Sequence, residues 1–307
     1  MELVEVRRIW DKAPHNAFTD LKRFGGEFYC AFREGESHVS DDGKLRVIRS
    51  EDGRNWASVG LIQWDGGDVR DAKLSVSPDE ELMLSGAVRF LEPKDGNVRQ
   101  SCTWLSSDGE SWSEPHACPS GLGTWRWSVT WHEGVAYSFG YSGKDEGGCL
   151  YRSTDGRRWE VVQDDVYPDV ESYGNETSIL FLEDDTAYCL LRRDKGSCTG
   201  MLGEARPPYT DWEWQDLGVR VGGPKMIRFD DDRFIAAVRL YDDDVRTSLC
   251  WIARESAELT EVLPLPSGGD TSYAGMVWHE GLLWVSYYSS HEEKTSIYLA
   301  RVNVGGE

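Results

Sequence analysis

An apolar strand, a polar turn and a second strongly β-forming strand recur six times along this chain of 307 residues. The turns of these hairpins centre near Gly26, Glu80, Gly134, Asp185, Asp232 and Gly281, so the steps are 54, 54, 51, 47 and 49 residues. Each hairpin is followed by further alternating segments, such as KLRVIRS and TSLCWIAR. Period-2 alternation bounded by Gly, Asp and Ser is strand grammar, and no sustained helical period accompanies it. Near-equal units, each worth four short strands, predict an all-β fold: a six-bladed β-propeller of four-stranded antiparallel blades, with residues 1–307 forming one domain. Two stacked β-sandwiches would not need equal steps. The first strand, ELVEVRRIW, is expected to complete the last blade and close the ring.

A second motif, Ser-x-Asp-Gly-x-x-Trp, appears as SEDGRNW at 50–56, SSDGESW at 106–112 and STDGRRW at 153–159. Each copy follows a third strand, which puts it on the blade periphery. There Asp binds turn amides, Gly takes a positive φ and Trp packs between sheets. The motif is therefore expected to serve architecture, and catalysis by Asp52, Asp108 or Asp155 is not.

The net charge of −21 argues against nucleic acid or an anionic membrane as partner. No window approaches the roughly 18 apolar residues of a membrane span. The opening MELVEVRRIW carries charge from its second residue and no apolar core of a signal peptide, so a cytoplasmic location is expected. Seven scattered cysteines without Cys-x-x-Cys spacing suit reduced thiols, and neither metal nor cofactor is expected. The sequence does not specify an oligomeric state.

In a propeller the starts of the inner and third strands and the ends of the second converge on the axis, where ligands bind. That rim collects Arg33 and His38 from blade 1, Arg70 and Asp71 from blade 2, and Trp125 and Trp127 from blade 3. Blade 4 brings Glu176 and Arg192, blade 5 Arg239 and Arg246, and blade 6 Tyr273. With only 33 basic residues against 54 acidic ones, a gathering of arginines on one rim is informative. The planar guanidinium fork suits bidentate capture of a carboxylate, which points to a small acidic sugar or oligosaccharide. The structural alternative is that these arginines pair with Glu34, Asp71, Asp194 and Asp242.

Three Ser-x-Asp-Gly-x-x-Trp boxes on a six-bladed pattern resemble the Asp-box repeats of the bacterial neuraminidase, or sialidase, superfamily, over essentially the whole chain. More specific is NETSILFLEDDTAYCLLRR, where Glu176 and Arg192 stand as the sialidase glutamate and a carboxylate-binding arginine do. Arg246 in RTSLCWIAR and Tyr273 in TSYAGMVW match a further arginine and the tyrosine that opens blade 6. The resemblance implies a Tyr273 nucleophile with Glu176 as its base. A neutral phenol avoids the repulsion that the substrate carboxylate would impose on an Asp or Glu nucleophile.

The chain also departs from that pattern. NAFTDL has Ala17 where sialidases carry the first of three arginines, and His38 occupies the approximate place of the acid/base aspartate after Arg33. Arg70 would then supply the missing cation, and His38 or Asp71 the acid/base. The leading expectation is a sialidase-like exo-glycosidase for a terminal acidic, carboxylate-bearing sugar. The alternatives are a uronide lyase, in which His38 or Tyr273 abstracts the proton α to an arginine-neutralised carboxylate, and a non-catalytic carbohydrate-binding propeller. Arg33, Arg70, Arg192, Arg239, Arg246 and Trp127 are the expected substrate contacts.

Overall fold

A computed structural model describes residues 1–142 and 147–305. Six antiparallel sheets stand around a central axis, as the hairpin repeat predicts. The inner strands are His15–Phe24, Gly67–Val76, Trp125–Arg126 with Thr130–His132, Gly174–Phe181, Gly222–Arg228 and Thr271–His279. Blades 1, 4, 5 and 6 have four strands. Blade 2 has three full strands, and an isolated bridge between Thr103 and His116 stands where the fourth would begin. The N-terminal strand Glu2–Trp10 pairs with Ser296–Asn303 as the outer strand of blade 6, so the two ends of the chain close the ring within one sheet.

Apolar layers between neighbouring sheets hold the ring. Between blades 4 and 5, Leu180, Tyr188, Leu190 and Leu202 pack with Met226, Phe234, Val238 and Cys250. Every second side chain of a strand faces such a layer, which is why strict alternation in the sequence predicted the sheets.

The Ser-x-Asp-Gly-x-x-Trp copies lie between third and fourth strands in blades 1 and 3, and after the third strand of blade 2. Asp52 Oδ1 accepts the amides of Arg54 and Asn55 at 2.8 and 2.9 Å, and Ser50 Oγ accepts the amide of Gly53 at 2.8 Å. Asp108 and Asp155 repeat the arrangement. A Cβ on Gly53, Gly109 or Gly156 would fall 2.2 Å from Trp284, 2.4 Å from Tyr29 or 2.7 Å from Met83. Those residues lie on the second strands of blades 6, 1 and 2, so each copy clasps its blade to the preceding one.

One device positions the site. In blades 1, 2, 4, 5 and 6 the inner strand carries a two-against-one bulge close to its start, between Ala17 and Asp20, Arg70 and Lys73, Gly174 and Thr177, Gly222 and Lys225, and Ser272 and Gly275. A bulge bends the strand and re-aims a side chain. Phe18, Asp71 and Tyr273 consequently adopt left-handed backbone, with φ of 63°, 57° and 50°. Few non-glycine residues accept that conformation without a surrounding structure that holds them there.

Candidate active site

Tyr273 and Glu176 face each other across the axis. The Tyr273 hydroxyl donates a short hydrogen bond to Glu176 Oε1, and both residues are buried. The same oxygen accepts Arg192 Nη1 at 2.6 Å, and Oε2 accepts the amide of Gly223 at 2.7 Å. Gly223 is the first bulge residue of blade 5, with φ 55°, and its missing side chain brings the amide within reach. Burial raises the Glu176 carboxyl, but the Arg192 charge and its hydrogen bond outweigh that and hold it below the usual carboxylate range. Burial, reinforced by the negative Glu176, pushes the Tyr273 phenol well above its ordinary value. At neutral pH the pair is an ionised base holding a neutral phenol.

Arg239 reaches the cluster from the end of the second strand of blade 5. It donates to Thr271 O at 2.5 Å, to the Tyr288 hydroxyl at 2.9 Å and to the Tyr241 hydroxyl at 3.4 Å, and its guanidinium lies 5.7 Å from the Tyr273 ring centre. Arg192 is differently placed, because Asp194 takes Nε at 3.1 Å and Nη2 at 3.0 Å. Arg70 donates to Asp68 at 3.1 Å and covers the Phe18 ring at 5.1 Å. Asp71, beside it, has its carboxyl raised by burial against the pull of Arg70 and Lys73.

The structure does not bring every expected residue to this cluster. Arg33 is fully buried in blade 1, bound to Asp68 at 2.8 Å and to the carbonyls of Ser37 and Ser40. Arg246 is held by both oxygens of Glu261 at 2.7 and 2.6 Å and by Asp242 at 3.1 Å. Trp127 is buried beside Tyr273, with ring centres 5.7 Å apart and Lys73 Nζ 5.3 Å from its own. His38 is half exposed, hydrogen-bonded to Asp270 at 2.6 Å and edge-on to Phe18 at 5.0 Å. Ala17 sits in the sheet ladder opposite Arg33, and Phe18, one residue on, is turned to the axis against Tyr273 and Tyr288.

Several neighbours have no counterpart among the residues singled out from the sequence. Asp270 accepts His15 Nε2 at 3.0 Å and the Tyr288 hydroxyl at 2.7 Å as well as His38. Its position three residues before Tyr273, at the opening of blade 6, was the available signal. His15, His38 and Asp270 bring ligand-type atoms within 4.8 Å of one another. A metal-bound imidazole ordinarily donates its other nitrogen to a partner, whereas His15 Nδ1 is buried without one among the described residues. The cluster therefore suits a carboxylate gripping two imidazoles better than a metal centre. On the same face, Trp125, Tyr141 and Tyr173 line a cavity of about 380 Å³ with Arg89 and Arg99. The Trp125 indole N–H is buried there without a partner among the described residues.

Comparison with known proteins agrees with the architecture. No protein-family model matches the chain, and no curated protein matches it. Among solved structures, a protein of unknown function from Dyadobacter fermentans superposes with a TM-score of 0.82 at 18% identity, over 97% of this chain and 98% of that one. The Penicillium chrysogenum α-L-arabinanase complexed with arabinobiose gives 0.71 at 14% identity, over 97% of both chains. The Trypanosoma rangeli sialidase bound to the inhibitor DANA gives 0.71 at 12% identity, over 99% of this chain and 58% of the sialidase. At such identities the likeness is one of fold. The chain has the six-bladed propeller fold that sialidases and arabinanases share.

Proposed function

We propose that this protein is a sialidase-like exo-glycosidase whose nucleophile is Tyr273 and whose base is Glu176. The observation that carries the reading is the buried Tyr273–Glu176 hydrogen bond, with Arg192 on the same carboxylate oxygen. A phenol with a raised pKa is a weak nucleophile until its proton has somewhere to go. Here the proton moves along an existing hydrogen bond to Glu176 as the phenol oxygen bonds to the anomeric carbon. Asp71, whose carboxyl burial keeps protonated to higher pH than usual, gives its proton to the leaving oxygen and then activates water for the second step. Two displacements at one carbon retain its configuration.

The substrate class rests on Arg239. Its hydrogen bonds run to neutral oxygens, and the nearest carboxylate in contact, Asp270, stands at 3.8 Å. A carboxylate on the sugar would complete this cation. The aromatic cavity of Trp125, Tyr141 and Tyr173 offers stacking faces and an indole donor to the leaving group. A second reading, hydrolysis of a neutral sugar, draws on the pairing of Arg192 with Asp194 and Arg33 with Asp68, which leaves fewer cations unspent.

The test is a panel of acidic and neutral aryl glycosides. Tyr273→Phe should abolish turnover, and Arg239→Met should raise KM for acidic substrates while sparing neutral ones. Wild-type turnover by Tyr273→Phe would remove the nucleophile from the scheme. Binding without turnover in the wild type would make this a carbohydrate-binding propeller, and an ultraviolet-absorbing unsaturated product from uronides would make it a lyase.

A further inference from the structure

The axial channel has a second mouth, at the end remote from Tyr273. The later halves of all six inner strands line a cavity there of about 600 Å³, from Lys22 in blade 1 through Ser75, Trp131, Phe181 and Lys225 to Met276 in blade 6. Its charge balance is unlike that of the rest of this acidic molecule. Arg228 at the periphery is paired with Glu183 and Asp231, and His132 with Asp185. Deeper in, Lys22 has no hydrogen bond or ion pair among the described residues, and Lys225 Nζ lies 3.7 Å from Asp20 Oδ1.

Asp20 is a poor counter-ion for two lysines. It is fully buried, and its oxygens already accept the amides of Leu21 and Leu74, each at 2.9 Å. It also faces Lys73, whose ammonium donates to Thr19 O at 3.1 Å on the Tyr273 side. Three ammonium groups thus surround one carboxylate already committed to backbone. Burial pulls the Lys22 amine down to about 8, with the Lys225 charge adding to the effect, as expected of cations brought together without enough opposite charge. A partly buried cation pair of this kind is costly unless an anion joins it.

We propose that this far mouth is a second ligand site, distinct from the Tyr273 centre, which takes a phosphate group between Lys22 and Lys225. Lysine ammonium is a compact point charge that suits a tetrahedral oxyanion, whereas a planar carboxylate is better matched by the arginine forks of the other mouth. The cavity is much larger than phosphate alone. Trp131 and Phe181 give it aromatic walls, and Ser75 Oγ is buried there without a partner among the described residues. A phosphorylated sugar fits that chemistry, with the phosphate on the lysines and the ring against the aromatic residues.

Trace acetylation of lysines read by peptide mass spectrometry tests the site in the wild-type protein. Millimolar inorganic phosphate or glucose 6-phosphate should slow labelling of Lys22 and Lys225 but not of exposed Lys12, and glucose should do nothing. Protection by glucose 6-phosphate at concentrations where inorganic phosphate gives none identifies the phosphorylated sugar as ligand, and equal protection identifies the phosphate alone. In calorimetric titrations, Lys22→Met and Lys225→Met should each weaken binding by about tenfold or more, whereas Tyr273→Phe should not change it. Unchanged labelling of Lys22 with both phosphates would overturn the proposal. So would calorimetric binding that survives both lysine substitutions, or protection that disappears in Tyr273→Phe. Because these readouts do not involve turnover, they stand or fall separately from the hydrolase reading.

Discussion

Glu176→Gln is nearly isosteric, yet the structure predicts a large penalty. Glu176 accepts at both oxygens, Tyr273 and Arg192 on one and the Gly223 amide on the other. Glutamine has one accepting oxygen. If that oxygen stays with Tyr273 and Arg192, the new amide nitrogen meets the Gly223 N–H, donor against donor. An orphaned buried N–H costs about 1–3 kcal/mol. The Arg192 contact also falls from an ion pair to a hydrogen bond with a neutral acceptor, which is worth about 1 kcal/mol more, while Asp194 keeps the guanidinium paired.

The expected loss is therefore about 2–4 kcal/mol, together with a fall in turnover of about 10²–10⁴-fold from the missing base. Urea unfolding followed by tryptophan fluorescence measures the first at pH 7. The pH dependence checks its origin. The folded carboxyl lies below its ordinary value of 4.5, so it contributes stability above that value and loses it as pH falls through the folded pKa. The gap between wild type and Glu176→Gln should narrow over that range. A variant as stable as the wild type at pH 7, with a gap indifferent to pH, would refute the assignment of an ionised Glu176 holding three donors.

Arg33→Lys should destabilise the fold by about 3–5 kcal/mol, because it strips partners from buried Asp68 and from the carbonyls of Ser37 and Ser40; a thermal shift no larger than that of an exposed substitution would contradict this. Gly109→Ala adds a Cβ at φ 74° and 2.4 Å from the Tyr29 hydroxyl oxygen, so about 2–4 kcal/mol should be lost. Gly25→Ala, also at positive φ but with nothing within 4 Å, should lose only about 1–2 kcal/mol; equal losses in the two variants would deny the clasp between blades.

The repeat made the ring legible because each inter-blade layer needs one apolar face per strand. Tyr273, Glu176 and Arg192 were legible because they open or close strands at equivalent places in blades 4 and 6. The choice between Arg239 and Arg246 was not. Both end or begin strands at the same rim, and what separates them is Glu261 on an outer strand, which grips Arg246 from the side. The bulges were hidden for a related reason. One extra residue shifts which side chain faces the axis, so Phe18 stands where the sialidase pattern pointed to Ala17. The grip of Asp270 on His15 and His38 joins blades 1 and 6 across more than 200 residues, and no local pattern announces it.

The closure of blade 6 sets a clock for folding. Trp10 pairs with Ile297, so the first strand meets its partner only after nearly all the intervening chain has been made. At synthesis rates of about 5–20 residues per second, that wait is on the order of 15–60 s. For that interval Glu2–Trp10 is a strand with no sheet, the kind of segment that recruits wrong neighbours. Its own sequence guards it: Glu2, Glu5, Arg7 and Arg8 spread both signs of charge along nine residues, so another copy of the strand finds little to add to. The same side chains stay partly or fully exposed in the finished ring, and protection during the wait costs the closed blade little apolar packing.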